Sequence, residues 1–168
     1  VFGKIDLTGK AVSLDLLRSM TESFIYRGPD DEGFFFDGPV GLGHRRLSII
    51  DLSPAGRQPM SNEDQSLWLV FNSEIYDFEK IRKELVSKGH TLKSHTDTET
   101  VLHLYEEEGV ACLKHLNGMF GFAPWDSRLQ RLWLARDRLG KKPLVYYWDG
   151  KRLIFGSEIK AILRDPEV

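Results

Sequence analysis

Arg45 and Arg46 directly precede an apolar run at residues 47–50 and could bind an anionic ligand. Consecutive side chains of a strand point to opposite faces, so one of the two guanidinium groups should face inward. An inward guanidinium can bond both oxygens of a carboxylate. Arginines near strand ends more often form structural salt bridges with a neighbouring acidic residue. Both interpretations remain open from these residues alone.

A second charged cluster lies in the segment SHTDTET, residues 94–100. Thr96 and Glu99 have the spacing of a capping box, which predicts a helix beginning here. Asp97 then falls in the first helical turn, where a carboxylate is favoured by the helix dipole. Capping accounts for most of this segment, and the functional alternative is that Asp97 holds the ammonium group of a ligand.

A third polar cluster, Asn72, Ser73 and Glu74, interrupts the apolar run that begins at Leu67. Asn72 and Ser73 could simply terminate a strand. Glu74 could be one half of a buried ion pair. Its candidate partners are three cations of the sequence: Arg136, Arg138 and Lys142.

Composition excludes several classes of function. The chain has 168 residues, a net charge of −2 and 29% charged residues with interspersed signs, so no basic surface for nucleic acid or membrane is expected. No apolar run approaches the ~20 residues that span a bilayer, and the first ten residues do not resemble a signal peptide. We therefore expect one compact cytoplasmic domain. A single cysteine, Cys112, excludes an internal disulfide.

No metal or phosphate site is indicated by the sequence motifs. The five histidines show no i, i+4 pair of the metalloprotease type. The acidic turn RGPDDEG, residues 27–33, does not have the spacing of an EF-hand loop, and ARDRLGKKP lacks the glycines of a P-loop. The sequence therefore predicts no metal ligands and no cofactor in this chain.

The elements that would position these residues follow from periodicity and turn residues. Ser13 should cap a helix with Leu14, Leu17, Met20 and Phe24 on one face. Short strands are predicted at residues 34–36, 40–42, 47–50 and 67–71. Two helices should follow, closed by Gly89 and Gly109, then a short one around Cys112. From residue 119 the pattern returns to strands, and a last short helix is predicted at residues 157–163.

This order of elements predicts the α+β class, with antiparallel sheets covered by helices. Hairpin turns are predicted at residues 126–128 and at Asp149-Gly150, whose dipeptide suits a type I′ turn. Pro124 cannot donate a hydrogen bond to a ladder. Its strand should therefore be an edge strand or should end there.

Six ordered motifs resemble the glutaminase domain of asparagine synthetase, a class II glutamine amidotransferase. They are RGPDDEG (27–33), GHRRLSIIDLSPAGRQPM (43–60), FNSEIYDF (71–78), TDTETVL (96–102), LNGMFGFAPWD (116–126) and ARDRLGKKPLVYY (135–147). The resemblance covers residues 1–168 and implies an N-terminal-nucleophile (Ntn) hydrolase fold, a four-layer αββα sandwich with two antiparallel sheets. It implies hydrolysis of glutamine to glutamate and ammonia.

The resemblance also implies partners for the domain. Ammonia would pass to a C-terminal ATP-dependent synthetase domain that is absent from this chain, with asparagine as the family's usual product. ATP and Mg²⁺ would bind only to that second domain. A homodimer is a further expectation.

Roles for individual residues come from the same resemblance. Arg46 matches the family's carboxylate-binding arginine, Asp97 matches a carboxylate that holds the α-ammonium group, and Glu74 matches a further substrate-binding residue. Asn72 matches the asparagine that donates to the oxyanion. Ser73 stands where the family has a glycine whose backbone N–H donates to the same oxygen.

The family's nucleophile is an N-terminal cysteine, expected two residues before Val1. Two explanations of its absence from the sequence are open. Either the sequence starts after the cysteine, or the domain has lost the nucleophile and acts as a scaffold or a glutamine-binding module. Other departures from the family are Ser73, Asp77, Tyr26 and Pro124. Cys112 lies among apolar residues, which indicates a buried structural thiol rather than a replacement nucleophile.

Overall fold

The computed structural model describes residues 1–48 and 53–168, which form two five-stranded antiparallel sheets and four α-helices. The first sheet has the order β2-β3-β1-β10-β9, and the second has the order β4-β5-β6-β7, with β8 also paired to β6. The first sheet comprises β1 (Phe2–Asp6), β2 (Asp31–Asp37), β3 (Val40–Arg46), β9 (Val145–Trp148) and β10 (Arg152–Gly156). The second comprises β4 (Met60–Ser61), β5 (Leu67–Ile75), β6 (Gly118–Asp126), β7 (Arg131–Leu132) and β8 (Ala135–Arg136).

The described helices cover the outer faces of the two sheets. They are α1 (Leu14–Glu22), α2 (Phe78–Ser87), α3 (Asp97–Glu108) and α4 (Ile159–Ile162), with 3₁₀ turns at Ile25–Arg27, Pro54–Gly56 and Gly109–Lys114. Helices α1 and α4 pack on the first sheet, and α2 and α3 on the second. Val70, Trp125 and Phe155 belong to the apolar layer between the sheets. This αββα arrangement confirms the predicted four-layer α+β sandwich. No helix in the described part is long and apolar enough to cross a bilayer.

Helix boundaries follow the predicted capping residues. The N–H of Leu16 donates to Ser13 Oγ at 3.2 Å, which begins α1. Leu14 is nonetheless exposed, and Phe24 lies beyond the end of this helix. Gly89 and Gly109, with φ of +101° and +57°, close α2 and α3, because glycine adopts this left-handed conformation without a steric penalty.

The capping box predicted at α3 is only half formed. Thr96 Oγ1 accepts the N–H of Glu99 at 3.2 Å. The Glu99 carboxylate accepts instead from the N–H groups of Lys93 and Ser94, at 2.8 and 2.7 Å. Glu99 therefore fixes the loop that leads into α3 rather than completing the reciprocal bond to Thr96.

Strand β5 continues past the point at which the sequence predicted that it would end. Asn72, Ser73 and Glu74 are paired with Gly121, Phe120 and Met119 of β6, and the strand ends at Ile75. The polar residues therefore do not terminate the strand. Their pairing with β6 keeps the backbone extended although the side chains are polar.

Pro124 lies inside β6, which runs on to Asp126, so the strand does not end at the proline. Pro124 faces Leu69, and its carbonyl accepts from Trp133 N at 3.4 Å on the side away from β5. The proline nitrogen points to that same side, where it lies between the segments paired with β8 and with β7. The missing N–H therefore removes no bond to β5.

Both predicted hairpins form, but one has a different turn type. Of the turn residues between β9 and β10, Gly150 has a positive φ of +87°, whereas Asp149 and Lys151 do not. A type I′ turn needs two consecutive positive φ angles, so the predicted type is wrong. The strand predicted at residues 47–50 is not formed at residues 47–48, because β3 ends at Arg46, and residues 49–50 lie outside the described part.

Candidate active site

A cleft of about 280 Å³ opens where the ends of β3 and β5 meet the start of α3. Val1, the residue before β1, also lines it. The five residues that the sequence singled out all line it: Arg46, Asn72, Ser73, Glu74 and Asp97. Distant parts of the chain are brought together here because β5 carries three of these residues and its outer edge faces both β3 and α3. The remaining lining residues include Val1, His44, Gly56, Gln58, Lys142 and Ser157.

The alternation of β5 decides which way its polar residues face. Val70 packs between the sheets, whereas Phe71 packs against the helical layer. With a period of two, Asn72 and Glu74 continue the inter-sheet face of Val70. The Asn72 amide has no hydrogen-bond partner within residues 1–48 and 53–168. It can therefore donate to a molecule in the cleft.

The backbone N–H of Ser73 also faces away from the rest of its sheet. Ser73 is opposite Phe120, whose own N–H and C=O are directed to Asp137 on the far side of β6. Ser73 and Phe120 are therefore a non-hydrogen-bonded pair of the antiparallel ladder, and the Ser73 N–H points away from β6, outward from the edge of β5. The backbone φ of Ser73 is negative, so this position does not need the positive φ that favours glycine. Serine in place of glycine therefore causes no backbone strain here.

Two neighbouring N–H groups on this outer edge of β5 are occupied. The N–H of Phe71 donates to Gln58 Oε1 at 2.6 Å, and that of Ile75 donates to Asp97 Oδ2 at 3.2 Å. The Ser73 N–H between them has no such partner in the described part of the chain. An oxygen atom that develops negative charge in the cleft could accept from it.

Asp97 occupies the first turn of α3, as predicted, and is 6% exposed. Its Oδ2 accepts from Ser73 Oγ at 2.8 Å as well as from the Ile75 N–H. Both of these bonds are made to the same oxygen. Oδ1 thus has no hydrogen-bond partner among residues 1–48 and 53–168 and can accept from a cationic ligand.

Arg46 is the arginine that faces inward, and it is 9% exposed. Its Nη1 donates to the carbonyl of Ser53 at 2.9 Å. A Cβ atom on Gly56 would lie 2.2 Å from Nη2, so this glycine makes the room that the guanidinium occupies. Arg45 faces the other way and forms the predicted salt bridge, to Glu32 at 3.0 Å. The structure thus confirms that one of the two guanidinium groups faces inward and that the other forms a salt bridge, and carboxylate binding by Arg46 stays a prediction.

Glu74 does not form the ion pair considered as its alternative role. No cation lies within 4.0 Å of its carboxylate in the described part of the chain, and the residue is exposed at the mouth of the cleft. Lys142 lines the same cleft. The loop that carries Lys142 is fixed by Asp137, which accepts from the N–H groups of Lys141 and Lys142 at 2.9 and 3.0 Å. These backbone hydrogen bonds lower the pKa of Asp137.

His44 is a site residue that the sequence reasoning missed. It is buried, it lines the cleft, and its Nδ1 has no hydrogen-bond partner in the described residues. Burial lowers the pKa of His44 well below its usual range, and neighbouring positive charge, including Arg46, acts in the same direction. The ring is therefore neutral. Its position two residues before Arg46 on β3 was the available signal, because both side chains share one face.

Cys112 lies far from this chemistry, in the apolar layer between the second sheet and its helices. Burial, and secondarily the charge of Glu108, raises the pKa of its thiol to about 12. The thiol therefore stays protonated at neutral pH and cannot act as a nucleophile. The interpretation of Cys112 as structural agrees with this environment.

The fold defines the class of protein. The glutamine phosphoribosylpyrophosphate (PRPP) amidotransferase of Bacillus subtilis, solved in complex with ADP and GMP, superposes with a TM-score of 0.80 and 19% sequence identity. The match covers 96% of this chain and 42% of that one. With two antiparallel sheets between helical layers, the chain has the fold of the Ntn amidotransferases.

Sequence comparison identifies the family more closely. A family model described as a glutamine amidotransferase domain matches residues 1–168, and the chain belongs to this family. Asparagine synthetase (glutamine-hydrolyzing) 3 of Bacillus subtilis is 44% identical over 151 residues, which cover 89% of this chain. Putative asparagine synthetase (glutamine-hydrolyzing) 2 of Methanocaldococcus jannaschii is 39% identical over 178 residues, covering 95% of this chain. The chain spans 24% and 34% of the lengths of these relatives.

Proposed function

We propose that this domain hydrolyses the side-chain amide of glutamine and supplies the ammonia to an adjoining amide-forming domain. The observation that carries the proposal is the convergence, in one cleft, of a guanidinium, two carboxylates and two hydrogen-bond donors from separate elements. Buried or half-buried polar groups are normally hydrogen-bonded within a protein. The Asn72 amide, the Ser73 N–H and Asp97 Oδ1 have no partner among the described residues, and together with the Arg46 guanidinium they match a small ligand that carries both charges and an amide.

The cleft offers a complement for each polar part of glutamine. Arg46 can bond both oxygens of the α-carboxylate. Asp97 and the exposed Glu74 can accept from the α-ammonium group. The side-chain carbonyl oxygen would then face the Asn72 amide and the Ser73 N–H, which stabilise the negative charge that develops when the amide carbon is attacked.

The nucleophile in this proposal is the thiolate of a cysteine two residues before Val1. The carbonyl of Val1 accepts from Ser157 N at 2.9 Å, and the amino group of Val1 donates to Ser157 Oγ at 3.2 Å. These two bonds fix Val1 at the cleft. Two further residues of extended chain reach about 7 Å. A cysteine there would attack the amide carbon, form a thioester and release ammonia, and water would then release glutamate.

The ammonia acceptor in this proposal is an ATP- and Mg²⁺-dependent synthetase domain of the same protein, and asparagine is the product. The support is that the chain corresponds to one part of much longer relatives that are asparagine synthetases by name.

The decisive experiment measures glutamate and ammonia release from glutamine by the full-length protein with its native N-terminus. Replacing the upstream cysteine by alanine should abolish release, whereas Cys112→Ala should retain it. Full activity in the upstream variant would refute the mechanism. If the native protein releases no ammonia, calorimetry with glutamine separates the remaining possibilities: heat of binding indicates a glutamine-binding module, and its absence a scaffold.

The hydrogen bond between Ser73 Oγ and Asp97 allows a further test of the proposal. It engages the carboxylate that the α-ammonium group would contact, so binding of glutamine must share or replace it. Ser73→Gly, which removes the hydroxyl, should lower KM for glutamine if the bond competes with substrate. An unchanged KM would show that Oδ1 alone serves the ligand.

A further inference from the structure

A group of histidine and glutamate side chains lies away from the cleft, at the opposite end of α3. His103 and Glu106 share one face of this helix, at a spacing of i, i+3. His90 follows Gly89, the residue that closes α2. From Asp97 in the cleft, the helix rises by about 9 Å to His103 and about 13 Å to Glu106. The cluster is therefore separate from the candidate active site.

Three donor atoms of this cluster converge on one point. His90 Nδ1 lies 3.1 Å from His103 Nδ1, and His103 Nδ1 lies 3.1 Å from Glu106 Oε2. The third side of the triangle, from His90 Nδ1 to Glu106 Oε2, is 3.8 Å. Ligands at 2.0–2.1 Å from a tetrahedral zinc ion are separated from each other by about 3.3 Å. The three observed separations, 3.1, 3.1 and 3.8 Å, lie on both sides of this value.

The opposite atoms of the same side chains are already oriented by hydrogen bonds. His90 Nε2 lies 3.0 Å from Glu107 Oε1, the carboxylate–histidine arrangement that often supports a metal-bound imidazole. Asn62 Nδ2 donates to Glu106 Oε1 at 3.0 Å, so that Oε2 is directed to the histidines. His103 is 2% exposed and cannot easily change its position.

A hydrogen-bonded network satisfies this triangle poorly. Two neutral imidazoles whose Nδ1 atoms face each other can share only one proton between them, because two Nδ1–H groups would collide. His90 Nε2 donates to Glu107, so a neutral His90 has only a lone pair at Nδ1, and the single proton on His103 Nδ1 must be shared between His90 Nδ1 and Glu106 Oε2, each at 3.1 Å. A cation at the centre would accept all three lone pairs at once.

We propose that His90, His103 and Glu106 bind a divalent transition-metal ion through His90 Nδ1, His103 Nδ1 and Glu106 Oε2. Two imidazoles and one carboxylate are a donor set that Zn²⁺ uses, with water completing the tetrahedron. The ion would tie the segment after α2 to α3 and, through Asn62, to the turn before β5. Its role is structural. The sequence did not predict this site because His90 and His103 lie on different elements, outside the helical i, i+4 pattern.

Zinc titration of the full-length protein, first stripped with a chelator, tests this site. We expect the wild type to bind one equivalent of Zn²⁺ that is absent in His90→Gln and Glu106→Gln, and to show a zinc-dependent rise in Tm. Co²⁺ in place of Zn²⁺ should give the strong visible absorption of a tetrahedral complex. Glu107→Gln, which removes only the supporting carboxylate, should weaken zinc binding by about 10–100-fold.

His115→Gln is the matched control, because His115 also pairs with a glutamate of α3, Glu108, at 2.9 Å but has no third metal-binding side chain near it among the described residues. It should bind zinc as the wild type does. His90 and Glu106 are both partly accessible, so these variants should keep the far-UV circular dichroism of the wild type. The proposal is overturned if the wild type binds no equivalent that His90→Gln lacks, or if His115→Gln loses as much affinity as His90→Gln.

Discussion

The two ends of α3 carry polar groups in opposite states. At the N-terminal end, Asp97 faces a cleft in which the Asn72 amide and His44 Nδ1 have no partner in residues 1–48 and 53–168. Toward the C-terminal end, His103 and Glu106 lie within hydrogen-bonding distance of each other and of neighbouring side chains. The polar groups at one end are left open to the cleft, and those at the other end contact each other.

The difference shows how the helix separates binding from stability. Leaving a buried donor or acceptor unsatisfied costs about 1–3 kcal/mol, which is tolerated at a site where a ligand later supplies the partner. The cluster at the other end costs less, because each of its groups has a neighbour within hydrogen-bonding distance and a bound ion would satisfy all three. Variants at the first end should therefore change catalysis, and variants at the second should change stability.

The largest expected effect is at the oxyanion position of the cleft. Asn72→Ala should lower kcat for glutamine hydrolysis by about 10² to 10³, because one donor to the developing negative charge is lost. KM should change little. The matched control is Asn117→Ala, an exposed asparagine outside the cleft. Glutamate release measured on both variants checks this, and an unchanged kcat in Asn72→Ala would remove Asn72 from the oxyanion site.

Arg46→Lys should raise KM for glutamine by about 10–100-fold, because lysine keeps the charge but cannot bond both carboxylate oxygens. The expected change in kcat is smaller. Steady-state kinetics with glutamine measure this, and the exposed Arg128→Lys is the control. Equal KM values for Arg46→Lys and the wild type would show that the guanidinium does not contact the substrate.

Gly56→Ala tests the same arginine without changing it. The added Cβ would lie 2.2 Å from Arg46 Nη2, so the guanidinium must shift. A shift of this kind should raise KM on the order of tenfold. Combining it with Arg46→Lys should add little, since both act on one contact. Fully additive effects in that double mutant would contradict this explanation.

Cys112→Ala should leave glutamine hydrolysis within about twofold while lowering the free energy of unfolding by about 1 kcal/mol, the cost of a small cavity in a packed core. Urea denaturation and glutamate release measure the two effects. The native thiol should also react slowly with thiol reagents, because its pKa is raised to about 12. Rapid modification of the folded protein at Cys112 would contradict its burial.

The smallest expected effect concerns pH. Burial raises the pKa of Glu158, but hydrogen bonds from Tyr26, Arg27 and Lys160 outweigh this and lower it to about 2 from 4.5. Because the folded-state pKa lies below the unfolded one, the stabilisation is complete above about 4.5 and is lost as the pH falls toward about 2. Between these pH values, the Tm of Glu158→Gln should fall less steeply with decreasing pH than the Tm of the wild type. Parallel curves would exclude the linkage.

Short-range patterns were sufficient for most of the fold. Ser13, Gly89 and Gly109 act on their own backbone neighbourhood, so their roles could be predicted without knowing the tertiary structure. The errors lie where a distant partner decides the outcome. Pairing with β6 extends β5 to Ile75, and the gap between β7 and β8 accommodates Pro124 within β6.

The sequence by itself determined the α+β class, the family and five of the residues that line the cleft, because ordered motifs preserve both residue type and spacing. Only the tertiary structure decided which of these groups are left without partners. It turned Arg46 inward and Arg45 to Glu32, directed the Ser73 N–H off the edge of its sheet, and brought His90 to α3. Hydrogen-bond satisfaction depends on atoms far apart in the chain, and sequence spacing does not contain those distances.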